Sequence, residues 1–211
     1  MKDLILIGAS GLAREVVSAD QGEYRVVGVV DDRTSSHGGR AGGVEVLGGI
    51  ALTTEFDADL LICIGSGVAR RSVADRLASL GVAEQRFATF ADSSVRIPAT
   101  CAVGAGSILL AGVVLTADVS IGRHVVAMPN TTFTHDNRIG DFVTVASGVS
   151  LGGSVAVGEA AYLGMNAAIR QQVRIGAEAV VGMGAVVLTD IPGGETWAGV
   201  PAHLLTAREA S

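Results

Sequence analysis

Two periodicities divide the chain. Up to about residue 90, short unbroken apolar runs alternate with stretches of helical spacing. Leu4-Ile5-Leu6-Ile7 is followed at once by Gly8-Ala9-Ser10-Gly11, and Leu12, Val16 and Ala19 then fall on one side of a helix. Val26 to Val30 predicts a second strand, ending in Asp31-Asp32. Leu60 to Ile64 predicts a third, ending in Gly65-Ser66-Gly67, with a helix over Val68 to Leu80. Strands that are apolar throughout and alternate with helices imply a parallel sheet covered on both faces, a small Rossmann-like unit.

From Ile97 the period becomes six. Every sixth residue, through Val103, Leu109, Leu115, Ile121, Ala127 and Phe133 to Val187, is apolar for sixteen hexads without an insertion. Four residues further on, the side chains are mostly small or β-branched, as at Val113, Val119, Val125, Val143, Val155 and Ala179. Glycine recurs at an interval of eighteen: Gly104, Gly122, Gly140, Gly158 and Gly176. An α-helix has no reason to favour six or eighteen. A solenoid with three six-residue sides per coil does, because identical positions then stack. The glycines are expected at corners needing φ > 0. The chain thus divides into an α/β unit over 1–91 and a parallel β-helix over 92–211. The raw ends of such a prism need covers. The N-terminal unit can cover one; the stretch from about 193, with Trp197 and a helix-like tail from Pro201, can cover the other.

Composition narrows the function. Apolar residues make up 49% and charged residues 17% of 211, which excludes a disordered chain. A net charge of −6 argues against binding nucleic acid through phosphate neutralisation. Cys63 and Cys101 lie in apolar runs without metal-ligand spacing and are expected to be reduced core thiols. No apolar run is long enough to span a membrane, and Met1-Lys2-Asp3 leads into a strand rather than a signal sequence, so a cytoplasmic location is expected.

Taken together, the hexads, Ile7-Gly8-Ala9-Ser10-Gly11, the Asp31-Asp32 pair, Thr134-His135-Asp136 and Ala198-Gly199-Val200-Pro201-Ala202 resemble the left-handed β-helix acetyltransferases of nucleotide-linked sugars. That family includes N-acetyltransferases of 4-amino sugars (bacillosamine, perosamine and viosamine types) and sialic-acid O-acetyltransferase relatives. The resemblance covers nearly the whole chain. It implies a left-handed coil, a homotrimer with active sites between subunits, acetyl-CoA as co-substrate and no metal. It also implies N-acetylation of a nucleotide-linked 4-amino-4,6-dideoxy sugar. O-acetylation of sialic acid or another sugar is the alternative, and a non-catalytic scaffold or a dinucleotide-dependent reductase is more remote. A zinc-dependent β-helix enzyme needs three converging histidines, and the coil carries only His124 and His135.

His135 occupies the third slot of its hexad, pointing away from the core, and its stacked neighbours are Ala117 and Gly153. Small residues above and below leave the ring open, and imidazole exchanges protons near neutral pH. The resemblance puts the catalytic base at His135; Asp136 can orient its ring. His124 is read as a surface residue. Gly152, Gly153, Gly164 and Gly182 offer backbone exposed by missing side chains, whose N–H groups can serve a developing oxyanion. The family places acetyl-CoA between neighbouring prisms, which by position brings in Thr144, Gly153, Gly164, Met165, Gly182 and Met183. A histidine that some relatives carry at Thr144 is missing, and His203 stands where relatives often have Lys or Arg. Arg170 and Arg174, on outer turn positions, are the candidates for the coenzyme 3′-phosphate. In the N-terminal unit, backbone amides at a strand-to-helix turn favour a phosphate, although Ala13 breaks the G-x-G-x-x-G spacing. The resemblance assigns Ser10, Gly11, Leu12, Asp31 and Asp32 to the nucleotide sugar, with Gly65 and Ser66 on the same sheet edge.

Overall fold

A computed structural model describes residues 1–19, 22–33, 35 and 37–205. The N-terminal elements are β1 (Lys2–Ile7), α1 (Gly11–Ser18), β2 (Tyr24–Val30), β3 (Arg40–Ala41), β4 (Val44–Gly48), β5 (Asp59–Ile62) and α2 (Gly67–Ser79). Sheet order is β3-β4-β2-β1-β5, parallel except for the β3–β4 pair. Leu4 and Leu6 of β1 pack into one apolar cluster, Ile5 and Ile7 into another, which is why that strand is apolar without alternation. Both helices begin at a serine cap: Ser10 Oγ accepts from Ala13 N at 3.2 Å, and Ser66 Oγ from Ala69 N at 3.3 Å.

The hexads build a three-sided, left-handed parallel β-helix. Fifteen two-residue strands run from Ala102–Val103 to Val186–Val187 and pair with the strand eighteen residues on, as Ile121 does with Ile139. The first face carries Ser120–Ile121, Arg138–Ile139 and Arg174–Ile175; the second, Val126–Ala127, Thr144–Val145 and Tyr162–Leu163; the third, Thr132–Phe133, Ser150–Leu151 and Ala168–Ile169. Fourteen of the sixteen hexad residues are buried to 4% exposure or less. Ile97 is exposed and Val103 half-buried, because no coil stacks beneath them. β6 (Phe90–Ala91) pairs with Ile108–Leu109 and so forms the first rung of the second face.

The recurrent glycines serve a different purpose from the one expected. Gly104, Gly122, Gly140, Gly158 and Gly176 do not take positive φ. They sit where the next coil passes too close for a side chain: a Cβ on Gly104 or Gly122 would fall 2.6–2.7 Å from the backbone above it. Positive φ belongs to a slot two residues later, at fourteen successive corners from Gly106 to Gly184. Ten of these are not glycine, Asp118, His124, Asp136 and Phe142 among them, with φ of 52–65°.

The covers also differ from expectation. Thr196–Ala198 adds to the second face beside Val180–Val181, and His203–Leu204 runs antiparallel to it, so the stretch after Pro201 is extended rather than helical as far as residue 205. Residues 206–211 of that expected tail lie outside the described residues. The N-terminal domain lies along the flank of the prism, not on its end. Ile108, Leu110 and Val126 of the coil share an apolar cluster with Leu4, Leu6 and Leu12. Both cysteines are free thiols, Cys63 buried and Cys101 half-buried.

The seam between domains is held by Arg70, which is wholly buried. Its guanidinium donates to five carbonyls: Ile64 and Gly65 of its own domain (2.7 and 3.0 Å), and His124, Phe142 and Val143 of the coil (2.9, 2.7 and 3.0 Å). Burial lowers its pKa to about 10, so it stays charged at neutral pH. Gly67 permits the close approach, since a Cβ there would strike the Phe142 carbonyl. Arg71 bridges Glu159 and Glu178 of successive coils. Replacing Arg70 by Met uncovers several carbonyls at once and should cost at least about 3 kcal/mol. Arg70→Lys should recover little of that, because an ammonium cannot span five acceptors. Denaturant midpoints of the two variants check both statements.

His124 lies in the same seam and is buried, which corrects the expectation of a surface residue. Its ring stacks on Phe142 at 5.1 Å, meets Phe87 edge-on at 4.7 Å, and leaves Nδ1 without a partner. Burial, reinforced by Arg70 and Arg123, lowers its pKa from 6.5 to about 4. Because the folded value is the lower one, the unfolded chain binds this proton more readily. The contribution of His124 is therefore full above pH 6.5 and lost as pH falls through 4, amounting to about 3 kcal/mol. His124→Gln, with a side chain already present at the Gln172 corner, should remove that component from the dependence of denaturant midpoint on pH between 7 and 4.

Candidate functional site

Three corners separate the faces. The first-to-second corner, with His124 and Phe142, is covered by the N-terminal domain. Met165 and Met183 stand on the second-to-third corner, and His135 stands on the third-to-first corner. In an extended strand, adjacent side chains point to opposite sides. Here the positive φ of Asp136 turns the chain so that both His135 and Asp136 lie outside, with side chains 64% and 58% exposed. His135 Nδ1 meets Asp136 Oδ2 at 2.7 Å. With Asp136 as acceptor, Nδ1 is the donor and the neutral ring keeps its lone pair on Nε2.

The imidazole lies over Gly153. A Cβ on that residue would collide with Cε1 and Nε2 and come within 3.1 Å of Nδ1. On the preceding residue, the Gly152 carbonyl accepts from Asn137 Nδ2 inside the prism at 2.8 Å. Thr134 Oγ1 donates to the Leu151 carbonyl at 2.7 Å. Two side chains flanking His135 thus hold the peptides beneath its ring. Beside Asp136, a groove of about 570 Å³ runs along the first face between Arg138, Ser154, Gln172 and Arg174. Arg174 is thus on a face rather than a turn, and Arg138 joins it there; the shared hexad slot, thirty-six residues apart, was the available signal. Arg170 follows Ile169 toward the same corner and is exposed.

The residues expected to line a coenzyme groove do not come together within one chain. Met165 and Met183 are exposed but occupy a different corner from His135. Gly164 and Gly182 underlie that methionine corner as close-approach glycines, whereas Gly153 belongs to the histidine corner. Thr144 does not line the groove beside Asp136. It is buried, and its hydroxyl donates to the Gly65 carbonyl at 2.7 Å, another tie across the domain seam.

A second cleft, of about 380 Å³, opens at the C-terminal ends of β1, β2 and β5. Gly8, Ser10, Asp31, Asp32 and Gly65 line it together with Arg33. Asp31 accepts from Ala9 N at 2.7 Å and pairs with Arg33 at 2.8 Å. Hydrogen bonds from the Arg33 side chain, then from the Arg33 and Ala9 amides, outweigh burial and lower its pKa to about 2. Burial works against the Asp32 charge, but the Ile50 amide and the Arg76 guanidinium hold its pKa below the ordinary carboxylate value. The cleft therefore presents two carboxylates, each met by an arginine that the sequence pattern did not single out; Arg33, directly after the acidic pair, was the visible clue. Ser10 is already committed, since its hydroxyl caps α1 and donates to the Cys63 carbonyl at 2.7 Å. Leu12 is buried in the core, Gly11 opens α1, and Ser66 caps α2 just outside the cleft.

Comparison with known proteins agrees with the fold. Residues 3–77 match the family model of the PglD N-terminal domain. No curated protein matches. An asparagine-for-histidine variant of perosamine N-acetyltransferase from Caulobacter crescentus, in complex with CoA and GDP-perosamine, superposes with a TM-score of 0.89 over 98% of each chain at 26% identity. The acetyltransferase domain of PglB from Neisseria gonorrhoeae, in complex with acetyl coenzyme A, gives 0.85 at 28% identity over 97% of this chain and 99% of that one. WeeI from Acinetobacter baumannii gives 0.82 at 28% identity over 97% and 100%. Fold and domain order are those of the left-handed β-helix nucleotide-sugar acetyltransferases. Among the described residues no helix is long and apolar enough to cross a membrane.

Gly153→Ala isolates the platform beneath the histidine. Because Gly153 does not take positive φ, stability should be unchanged or raised by up to ~1 kcal/mol. The imidazole should nevertheless be displaced, seen as shifted His135 ring resonances in ¹H–¹⁵N spectra at an unfolding midpoint no lower than that of the unaltered protein.

Proposed function

We propose that this chain transfers the acetyl group of acetyl-CoA to the amino group of a nucleotide-linked 4-amino-4,6-dideoxy sugar, with His135 as general base. It is an acyltransferase, and acetyl-CoA is its co-substrate. The observation that carries the proposal is the state of one ring: exposed at a rigid corner, its Nδ1 spent on Asp136, and its Nε2 lone pair free. As the amine attacks the thioester carbonyl, Nε2 takes the proton that the nitrogen must lose. Asp136 then faces the imidazolium. The proton passes on to the departing thiolate of CoA, which restores the neutral base. The Gly153 N–H, beside the ring, is the donor suited to the charge that develops on the carbonyl oxygen.

The nucleotide is assigned to the cleft at Ser10, Gly11, Asp31, Asp32 and Gly65, where the Gly11 N–H at the start of α1 and the exposed Arg33 guanidinium are the donors suited to phosphate. Arg170 and Arg174 are assigned to the coenzyme phosphate. Within one chain the methionine corner cannot meet His135. A homotrimer in which the Met165 and Met183 corner of one subunit faces the His135 corner of the next completes the site. The third face supports this assembly, since its outward residues Thr132, Ser150, Ala168 and Val186 are small and uncharged. A cytoplasmic enzyme of glycan-precursor synthesis fits these assignments.

The test is a panel of UDP-, GDP- and dTDP-linked 4-amino sugars assayed with acetyl-CoA. One of them should be acetylated, and His135→Ala should lower that rate by about 10²–10⁴-fold in a protein of unchanged size and stability. A wild-type rate in the variant removes His135 from the chemistry, and turnover of hydroxyl acceptors alone moves the assignment to O-acetylation.

A further inference from the structure

Among the inward-facing slots of the prism stands one wholly buried amide, Asn137. Equivalent slots on the coils before and after hold Val119 and Val155. Asn137 Nδ2 donates to the Gly152 carbonyl at 2.8 Å, while Oδ1 has no partner. A carboxamide with an unmet acceptor, packed among aliphatic side chains, is worse for stability than the valine its neighbours use. It lies two residues from His135, and the peptide it grips is the one beneath the His135 ring.

That peptide is planar and trans, so its carbonyl and its N–H point in opposite directions. With the Gly152 oxygen drawn inward, the Gly153 N–H faces out at the corner over which the His135 ring lies. It finds no acceptor among the described residues. The same wiring occurs, already occupied, at another corner. There Ser107 Oγ draws the Gly122 carbonyl inward at 2.9 Å, and the next N–H, that of Arg123, donates outward to a carboxylate oxygen of Asp141 at 2.8 Å. At His135 the arrangement is repeated with the outer place open.

We propose that Asn137 is a positioning residue for acetyl transfer: it locks the Gly152–Gly153 peptide so that the Gly153 N–H is aimed at the oxygen that gains charge beside His135. This rests on acetyl transfer at His135, and its test separates the two. Asn137→Val, Asn137→Ser and His135→Ala are compared in steady-state assays with acetyl-CoA and UDP-, GDP- and dTDP-linked 4-amino-4,6-dideoxy sugars, alongside melting temperatures. Asn137→Val should fold and melt no lower than wild type, because valine suits the slot. Its kcat should fall roughly ten- to hundred-fold, part of what loss of such a donor costs. Both KM values and the shape of the pH–rate profile should stay in place, since binding and the base are untouched. Asn137→Ser should recover most of kcat, because Ser107 makes the equivalent bond. A wild-type kcat in Asn137→Val overturns the proposal. So does an equal loss in Asn137→Val and Asn137→Ser accompanied by lowered melting, which marks a structural role. A wild-type rate in His135→Ala instead removes the acetyl-transfer assignment itself.

Discussion

The structure depends on a turn that must be made every six residues without fail. At each corner one residue adopts positive φ, and at ten of the fourteen successive corners it is not a glycine. For an L-residue this conformation costs roughly 1–2 kcal/mol. Each hexad offsets it by burying two side chains, typically aliphatics worth ~1.5–3 kcal/mol each. A single inserted residue would move every later aliphatic out of the core and every later corner off its stack. The rigidity of the outer surface follows from this: a side chain at a corner is held by the coils above and below, not only by its own loop.

That rigidity is exported to the other domain through Arg70. A buried guanidinium without a carboxylate partner is tolerable only because five carbonyl dipoles surround it, two from the ends of the N-terminal sheet and three from the coil. Thr144, joined to the Gly65 carbonyl, and the Arg71 bridges to Glu159 and Glu178 extend the same seam across successive coils. The carbonyls of Ile64 and Gly65 belong to the loop that lines the N-terminal cleft. The cleft is therefore fixed relative to the prism by the contacts that hold the domains together.

Much of this was visible in the unbroken period of six, because stacking is a one-dimensional rule and the hexad aliphatics obey it. The meaning of particular residues was less visible wherever two physical demands select the same amino acid. Glycine serves both positive φ and close approach, and only the stacking of successive coils shows that Gly104 and Gly122 answer the second. His124 and His135 carry the same side chain on different corners; one is sealed by Phe87 and Phe142 from distant parts of the chain, which no local pattern announces. The tie that buries Thr144 was hidden for the same reason, since its partner is seventy-nine residues away. The contact of His135 with Asp136 and its seat on Gly153 were accessible because both are local or exactly one coil apart.

The proposed division of the site between corners has a physical logic. A prism buries its aliphatics, so only corners and outward strand positions can bear polar groups, and one corner is already given to the N-terminal domain. His135 at the third-to-first corner stands on a stacked backbone that holds its geometry, which the proposed proton transfer needs. The same stacking prevents that corner from folding around a ligand and excluding water. Enclosure must come from a surface that is rigid in its own right, and the exposed methionines at the second-to-third corner offer an adaptable apolar one. Because these two corners flank the smooth third face, closing copies of the chain about that face would bring each His135 against a neighbour's methionines, and a framework too stiff to make a pocket within one chain would make it between two.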